Sequence, residues 1–198
     1  FLDERLLLSP GMAVHESFNM ACAMAALAKD TVLDSLSIMQ KYDAHKADAI
    51  KEGESELDTY EDKLGSFLVK VAACALNESD SRDVSKLLHS INDFERIGDH
   101  ALNIKNSADE MKEKALHFSA EAKEELGLLF RALNDVLSLS IDSFVNNDLE
   151  KAAHVEPLEQ VIDVLIGQIK RRHIERLQAG RCTIELGFIL NDLLNNCE

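Results

Sequence analysis

Three acid pairs recur along the chain: Glu54 with Asp58, Glu95 with Asp99, and Glu159 with Asp163. In each the second carboxylate follows the first by one helical turn, so both leave the same face of a helix. The sequence closes on Asn195, Asn196, Cys197 and Glu198, which reads as the opening of a fourth pair interrupted before its second acid. Carboxylates arranged in this way can ligate hard cations.

One such pair would mean little in a chain with 36 acidic residues. Asp30 with Asp34 and Glu121 with Glu125 have the same spacing and are read as solvated helix surface. The other pairs differ because they belong to an internal repeat. The segment YDAHKADAIKEGESELD, from Tyr42, aligns without a gap on NDLEKAAHVEPLEQVID, from Asn147. Glu54 and Asp58 then fall on Glu159 and Asp163, and in the following helices Asn92 and Glu95 fall on Asn195 and Glu198. One unit is used twice.

These acids also adjoin the apolar stripes. Glu95 lies about 40° round a helix from Ile91, and Asp99 about 40° further. They should face a neighbouring helix, where partial burial and mutual repulsion disfavour the charges. Arg96 could offset one acid but not four. Divalent ions could offset all of them, and all-oxygen ligation suits Mg²⁺ or Mn²⁺, with iron and zinc as further candidates. Asn92, Asn103, Asn195 and Arg96 are positioned to orient the ligands. The alternative is an inter-helix charge network of these acids with Arg96 and lysines.

Other chemistries find no residues to carry them. His100 follows Asp99 but turns away by about 100°. No Glu-x-x-His motif accompanies the pairs, which argues against a ferritin-like di-iron site. No phosphate-binding glycine loop, nucleophile elbow or zinc-type cysteine cluster is present, so a non-enzymatic protein is expected and a carboxylate-metal enzyme is the weaker alternative. A net charge of −15 argues against nucleic-acid binding. The single basic cluster, Lys170, Arg171, Arg172 and Arg176, is read as cations at a helix C-terminus.

The elements that position the acids are read as helices. Aromatics make up 5% of the chain, Trp is absent, and there are only two prolines and eight glycines. Apolar residues at spacings of three and four predict six long helices. The first starts about Met12 and buries a slim face of Val14, Ala21, Ala25, Ala28 and Val32. Asp43 is expected to cap the second helix, Asp80 or Ser81 the third, Ser119 the fourth, and Cys182 or Thr183 to open the sixth. Pro157 should kink the fifth. The expected fold is all-α, with two tandem antiparallel three-helix bundles: residues 1–11 a leader, 12–117 the first bundle, and 118–198 the second with its last helix truncated. The four cysteines, Cys22, Cys74, Cys182 and Cys197, form no CxxC motif and are expected as buried thiols in a reducing compartment. No apolar run approaches the length of a membrane span.

This set of features resembles the PhoU family, in which two three-helix bundles each carry paired E(D)xxxD motifs that bind metal. The resemblance runs from about Met12 to the end of the chain. Glu54/Asp58 and Glu95/Asp99 match the first bundle's motifs, and FERIGD, Phe94 to Asp99, is close to the family's wording. Glu159/Asp163 match the second bundle, and Glu198 the first acid of the last motif. The leader FLDERLLLSPGMAVH is similar to the segment after the last membrane span in bacterial sodium/phosphate cotransporter-related proteins. The resemblance therefore implies a metal-binding cytoplasmic regulatory domain of a Na⁺/phosphate cotransporter, tethered to the inner membrane through the parent protein. Its partner would be the transporter domain of the same chain or a transport complex, with a homo-oligomer also considered. The alternative it implies is a stand-alone PhoU regulator of an ABC phosphate transporter and its sensor kinase.

Overall fold

The computed structural model describes all residues, Phe1–Glu198, and contains helices and turns but no strand. After a 3-10 turn, Glu4–Leu8, the helices are α1 Pro10–Gln40, α2 Ala44–Ala72, α3 Glu78–Glu113, α4 Ala120–Asn146, a single turn α5 Leu149–Ala152, α6 Val155–Gln178 and α7 Ile184–Cys197. The expected six long helices are α1, α2, α3, α4, α6 and α7.

The caps explain most of the boundaries. Asp43 accepts from the His45 and Lys46 amides at the start of α2, Ser119 from Ala122 at the start of α4, and Thr183 from Leu186 at the start of α7. Two boundaries differ from expectation. Helix α1 begins at Pro10, because proline lacks only an N–H that the first turn leaves unbonded in any case. Helix α3 begins at Glu78, because Asn77 Oδ1 accepts from the Asp80 amide at 2.7 Å and caps the helix before Asp80 or Ser81 can. Pro157 does not kink a helix: it sits in the first turn of α6, behind the turn His154 that separates α5 from α6. Asn147, at φ 50°, ends α4 in the left-handed conformation that asparagine tolerates.

Helices α1, α2 and α3 pack against one another as one bundle, and α4, α6 and α7 form the second. The first core contains Ala21, Met24, Leu57, Leu64, Leu68 and Ile91. The second contains Leu126, Leu129, Ile166, Leu190 and Leu193, together with Leu36 from α1 and Ile104 from α3. The long helices of the first bundle therefore reach into the second, and α1 packs on α4 while α3 packs on α7. The slim face of α1 suits this central position. Ala13, Ala21, Ala25 and Ala28 are fully buried, and Ser17 and Thr31 return their hydroxyl protons to carbonyls one turn back, Ala13 and Leu27.

Two surface expectations are corrected. Glu125 is buried at 9% exposure, where it accepts from Arg176, itself 5% exposed, and from Arg172, each at 3.2 Å. The basic cluster of α6 thus supplies a partner for a core carboxylate as well as favourable charge at a helix end. Among the cysteines only Cys197 is buried; Cys22, Cys74 and Cys182 are half-buried, and all four are free thiols.

Candidate metal centre

Helix α2 carries Glu54, Asp58 and Glu61, and α3 carries Glu95 and Asp99, on the faces where the two helices meet. Gly98 makes the meeting close. A Cβ there would lie 2.6 Å from Leu57 Cδ1, and Leu57 is fully buried between Glu54 and Asp58 in the sequence. A side chain at position 98 would therefore have to displace the buried Leu57 side chain, which stands between Glu54 and Asp58. On the other side of α2, a Cβ at Gly53 would lie 2.5 Å from Thr31 Oγ1, so glycine also lets α1 approach.

Oxygens of Glu54, Asp58 and Asp99 all lie within 4.8 Å of one another. No arginine or lysine reaches them: the ion pairs of the protein involve none of Glu54, Asp58, Glu61, Glu95 or Asp99. Arg96 is exposed and likewise unpaired, so the alternative charge network is not formed. The acids instead feel one another. Partial burial raises the pKa of Glu54, helped by Asp58 and then Asp99. Glu95 is pushed up to about 7, first by burial, then by the charges of Asp99 and Glu61, by a hydrogen bond that its protonated carboxyl donates to Asp99, and by Asp58. Proton-sharing among carboxylates indicates negative charge without a counter-charge. The donor set is oxygen only and multiply anionic, which fits a hard divalent cation.

The second set of acids is less gathered. Glu159, Asp163 and Glu198 are exposed, and Glu198 lies 3.4 Å from Lys170 Nζ. All three line a cavity of about 650 Å³ between the bundles, together with Asp93 and His100 of α3. Glu54, Asp58 and Asp99 form the single cluster in which three such side chains converge. Of the asparagines expected to orient ligands, Asn103 donates instead to Asn196 Oδ1 at 3.2 Å, and His100 Nδ1 lies 3.0 Å from the same oxygen. These contacts tie α3 to α7. Asn92 and Asn195 are exposed.

Glu61 and Gly98, which the sequence places at the edge of the seam and on the apolar face of α3, join the site beside the expected ligands, and Asp93 is an addition. Glu61 follows Asp58 by three positions and shares its face, so the periodicity that picked out Asp58 also reaches it. Gly98 stands within FERIGD, and its role depends on Leu57 of another helix, which no local pattern reveals. Asp93 has no repeat partner among the acid pairs.

Residues 22–108 match the family model described as PhoU domain. The chain is 21% identical over 148 residues to a phosphate-specific transport system accessory protein PhoU homolog of Clostridium acetobutylicum, covering 74% of this chain and 66% of that protein. It is 30% identical over 108 residues to PhoU homolog 1 of Thermotoga maritima, covering 54% of this chain and 46% of that one. It is 27% identical over 163 residues to the accessory protein PhoU of Serratia marcescens, covering 82% and 66%. The chain thus spans between about half and two thirds of the length of these relatives. The crystal structure of PhoU from Pseudomonas aeruginosa shares the fold, with a TM-score of 0.87 and 19% identity over 94% of this chain and 89% of that one.

Proposed function

From the premise that this chain carries a PhoU family domain over residues 22–108, we propose that it is a metal-binding regulator of phosphate uptake, acting as an accessory protein on a phosphate transport complex. The observation that carries the metal-binding part is the convergence of Glu54, Asp58 and Asp99 with no cationic side chain among them. The phosphate part rests on the relatives, which are named as accessory proteins of phosphate-specific transport systems. Those names favour an accessory regulator over the tethered tail of a Na⁺/phosphate cotransporter, for which the leader alone speaks. No helix is long and apolar enough to cross a membrane.

Glu54, Asp58, Glu95 and Asp99 would hold the first ion or ions, with Glu61 beside them. Glu159, Asp163 and Glu198 would contribute to a second site. A bound divalent cation supplies positive charge where α2 and α3 present only negative charge, and so locks the two helices together. The chain's own part is to hold oxygens at fixed spacing and to exclude lysine and arginine from the seam. Its proposed role is regulatory, in line with the accessory proteins that the chain resembles.

The test is complementation. In a bacterium lacking its own PhoU, this chain should restore phosphate-dependent repression of a phosphate-starvation reporter, and Asp58→Asn with Asp99→Asn should not. Failure of the wild-type chain at normal expression would contradict the regulatory reading. Equal restoration by the variant would separate regulation from the acid cluster.

A further inference from the structure

A cavity of about 490 Å³ lies where the ends of α1 and α3 meet the start of α4. Its walls are apolar: Ile38, Phe118, Leu126 and Phe130 are buried, and Met39 and Met111 add flexible thioether side chains that adapt to a guest. Its rim is basic, formed by Lys112, His117 and Lys123, all exposed. No carboxylate lines it, whereas four other cavities, of about 330 to 690 Å³, each have at least two aspartates or glutamates in their walls. On a chain with net charge −15 this is a local reversal of sign.

The cations of the rim are not engaged by acids. Neither Lys112 nor Lys123 takes part in an ion pair, while Lys105 and Lys114, nearby in sequence, are bound to Asp109, Glu110 and Glu185. Lys112 Nζ rests 4.6 Å from the centre of the Tyr42 ring, and the Tyr42 hydroxyl is donated to Asp109 at 2.6 Å. Asp109, which takes the hydroxyl of the ring beneath Lys112, is also paired with Lys105. A partly open apolar cleft in the size range of small-molecule sites, with a few polar groups of one sign at its edge, selects an amphiphile of the opposite sign.

We propose that this cavity binds a monomeric single-chain acyl anion, its hydrocarbon body against Phe118, Leu126 and Phe130 and its carboxylate among Lys112, His117 and Lys123. Ala115 and Leu116 of the α3–α4 connection also line the cavity. The guest thus touches both bundles and the segment that joins them, so its occupancy bears on how the bundles are held together. The inference stands apart from the acid cluster and does not require metal.

The experiment is calorimetric titration of the full chain with decanoate and with decyltrimethylammonium, which share a tail and differ in the sign of the head. The overall charge of the protein favours the cation, so a preference for decanoate can only be local. Decanoate should bind at least about tenfold more tightly than the cation, and Lys112→Glu with Lys123→Glu should weaken it about tenfold or more. Met111→Trp, which fills the cavity, should abolish binding. If Met111→Trp lowers the melting temperature markedly, the surface charge reversals decide. Equal binding of the two heads, insensitivity to the charge reversals, or no binding of decanoate at millimolar concentration would each overturn the proposal.

Discussion

Glu95 concentrates the electrostatics of the acid seam in one side chain. Its pKa, raised to about 7, means that the folded protein without metal holds a proton that the unfolded chain releases near pH 4.5. Between those values the native state binds more protons, so stability falls as pH rises and returns as pH is lowered. The metal-free protein should therefore melt a few degrees higher at about pH 5.5 than at about pH 7.5, relative to Glu95→Gln, which lacks this proton. Thermal melts of the two proteins across that range check the sign, and parallel curves would contradict it. With a divalent ion bound the trend should disappear, because the ion replaces the proton. In the core of the second bundle, Arg176 forms two contacts to Glu125, at 3.2 and 3.5 Å, from a buried position. Arg176→Ala leaves a buried carboxylate with only the half-exposed Arg172 as partner. Its cost in chemical denaturation should be about 3 kcal/mol, and that of Arg172→Ala well under half as much.

At the scale of elements, the close pairing of α2 with α3 sets the site. Gly98→Ala gains about 1 kcal/mol in helix propensity but forces a methyl against the Leu57 side chain, at a cost of about 1–3 kcal/mol in a packed core. Net destabilisation is expected in denaturant titration, with metal affinity reduced where the displaced Leu57 disturbs its neighbours Glu54 and Asp58. A gain in stability would show that α2 and α3 have room to spare. Most of the element structure was legible in the sequence. Asp43, Ser119 and Thr183 announce helix starts by side-chain chemistry, and the small-residue face of α1 announces a helix buried among several others. The early start of α3 was not read, because Asn77 is as competent a cap as Asp80 and the choice depends on the turn after α2. The burial of Glu125 was not read either, since its i,i+4 partner Glu121 stays exposed and the Arg176 that accounts for it lies on another helix. The acid pairs themselves were legible through the repeat, whereas their unequal gathering in the two bundles was not. Convergence needs a close contact such as that of Gly98 with Leu57, and the corresponding acids Glu159, Asp163 and Glu198 line a wide cavity instead.

On the scale of the whole molecule, the bundles share their supports. Leu36 of α1 and Ile104 of α3 belong to the second core, and Asn196 of α7 is held by His100 and Asn103 of α3. The two bundles should therefore unfold together, giving one calorimetric transition despite the internal repeat. Ile104→Ala, at a site with 1% exposure, should cost about 2–4 kcal/mol and lower that single transition without splitting it. Two separated transitions in the wild-type protein would contradict a shared core. This mechanical continuity would let an ion at the α2–α3 seam influence the second bundle through α3, which bears Glu95, Asp99 and Ile104 along its length.

The most direct test of the account is the metal content of purified protein, measured by elemental analysis beside Asp58→Asn with Asp99→Asn after identical dialysis. The account predicts bound divalent metal in the wild-type chain and a clear loss in the variant, with helical content unchanged by circular dichroism. Equal metal content in the two, or none in the wild-type chain after incubation with excess Mg²⁺, Mn²⁺, Fe²⁺ and Zn²⁺, would contradict it.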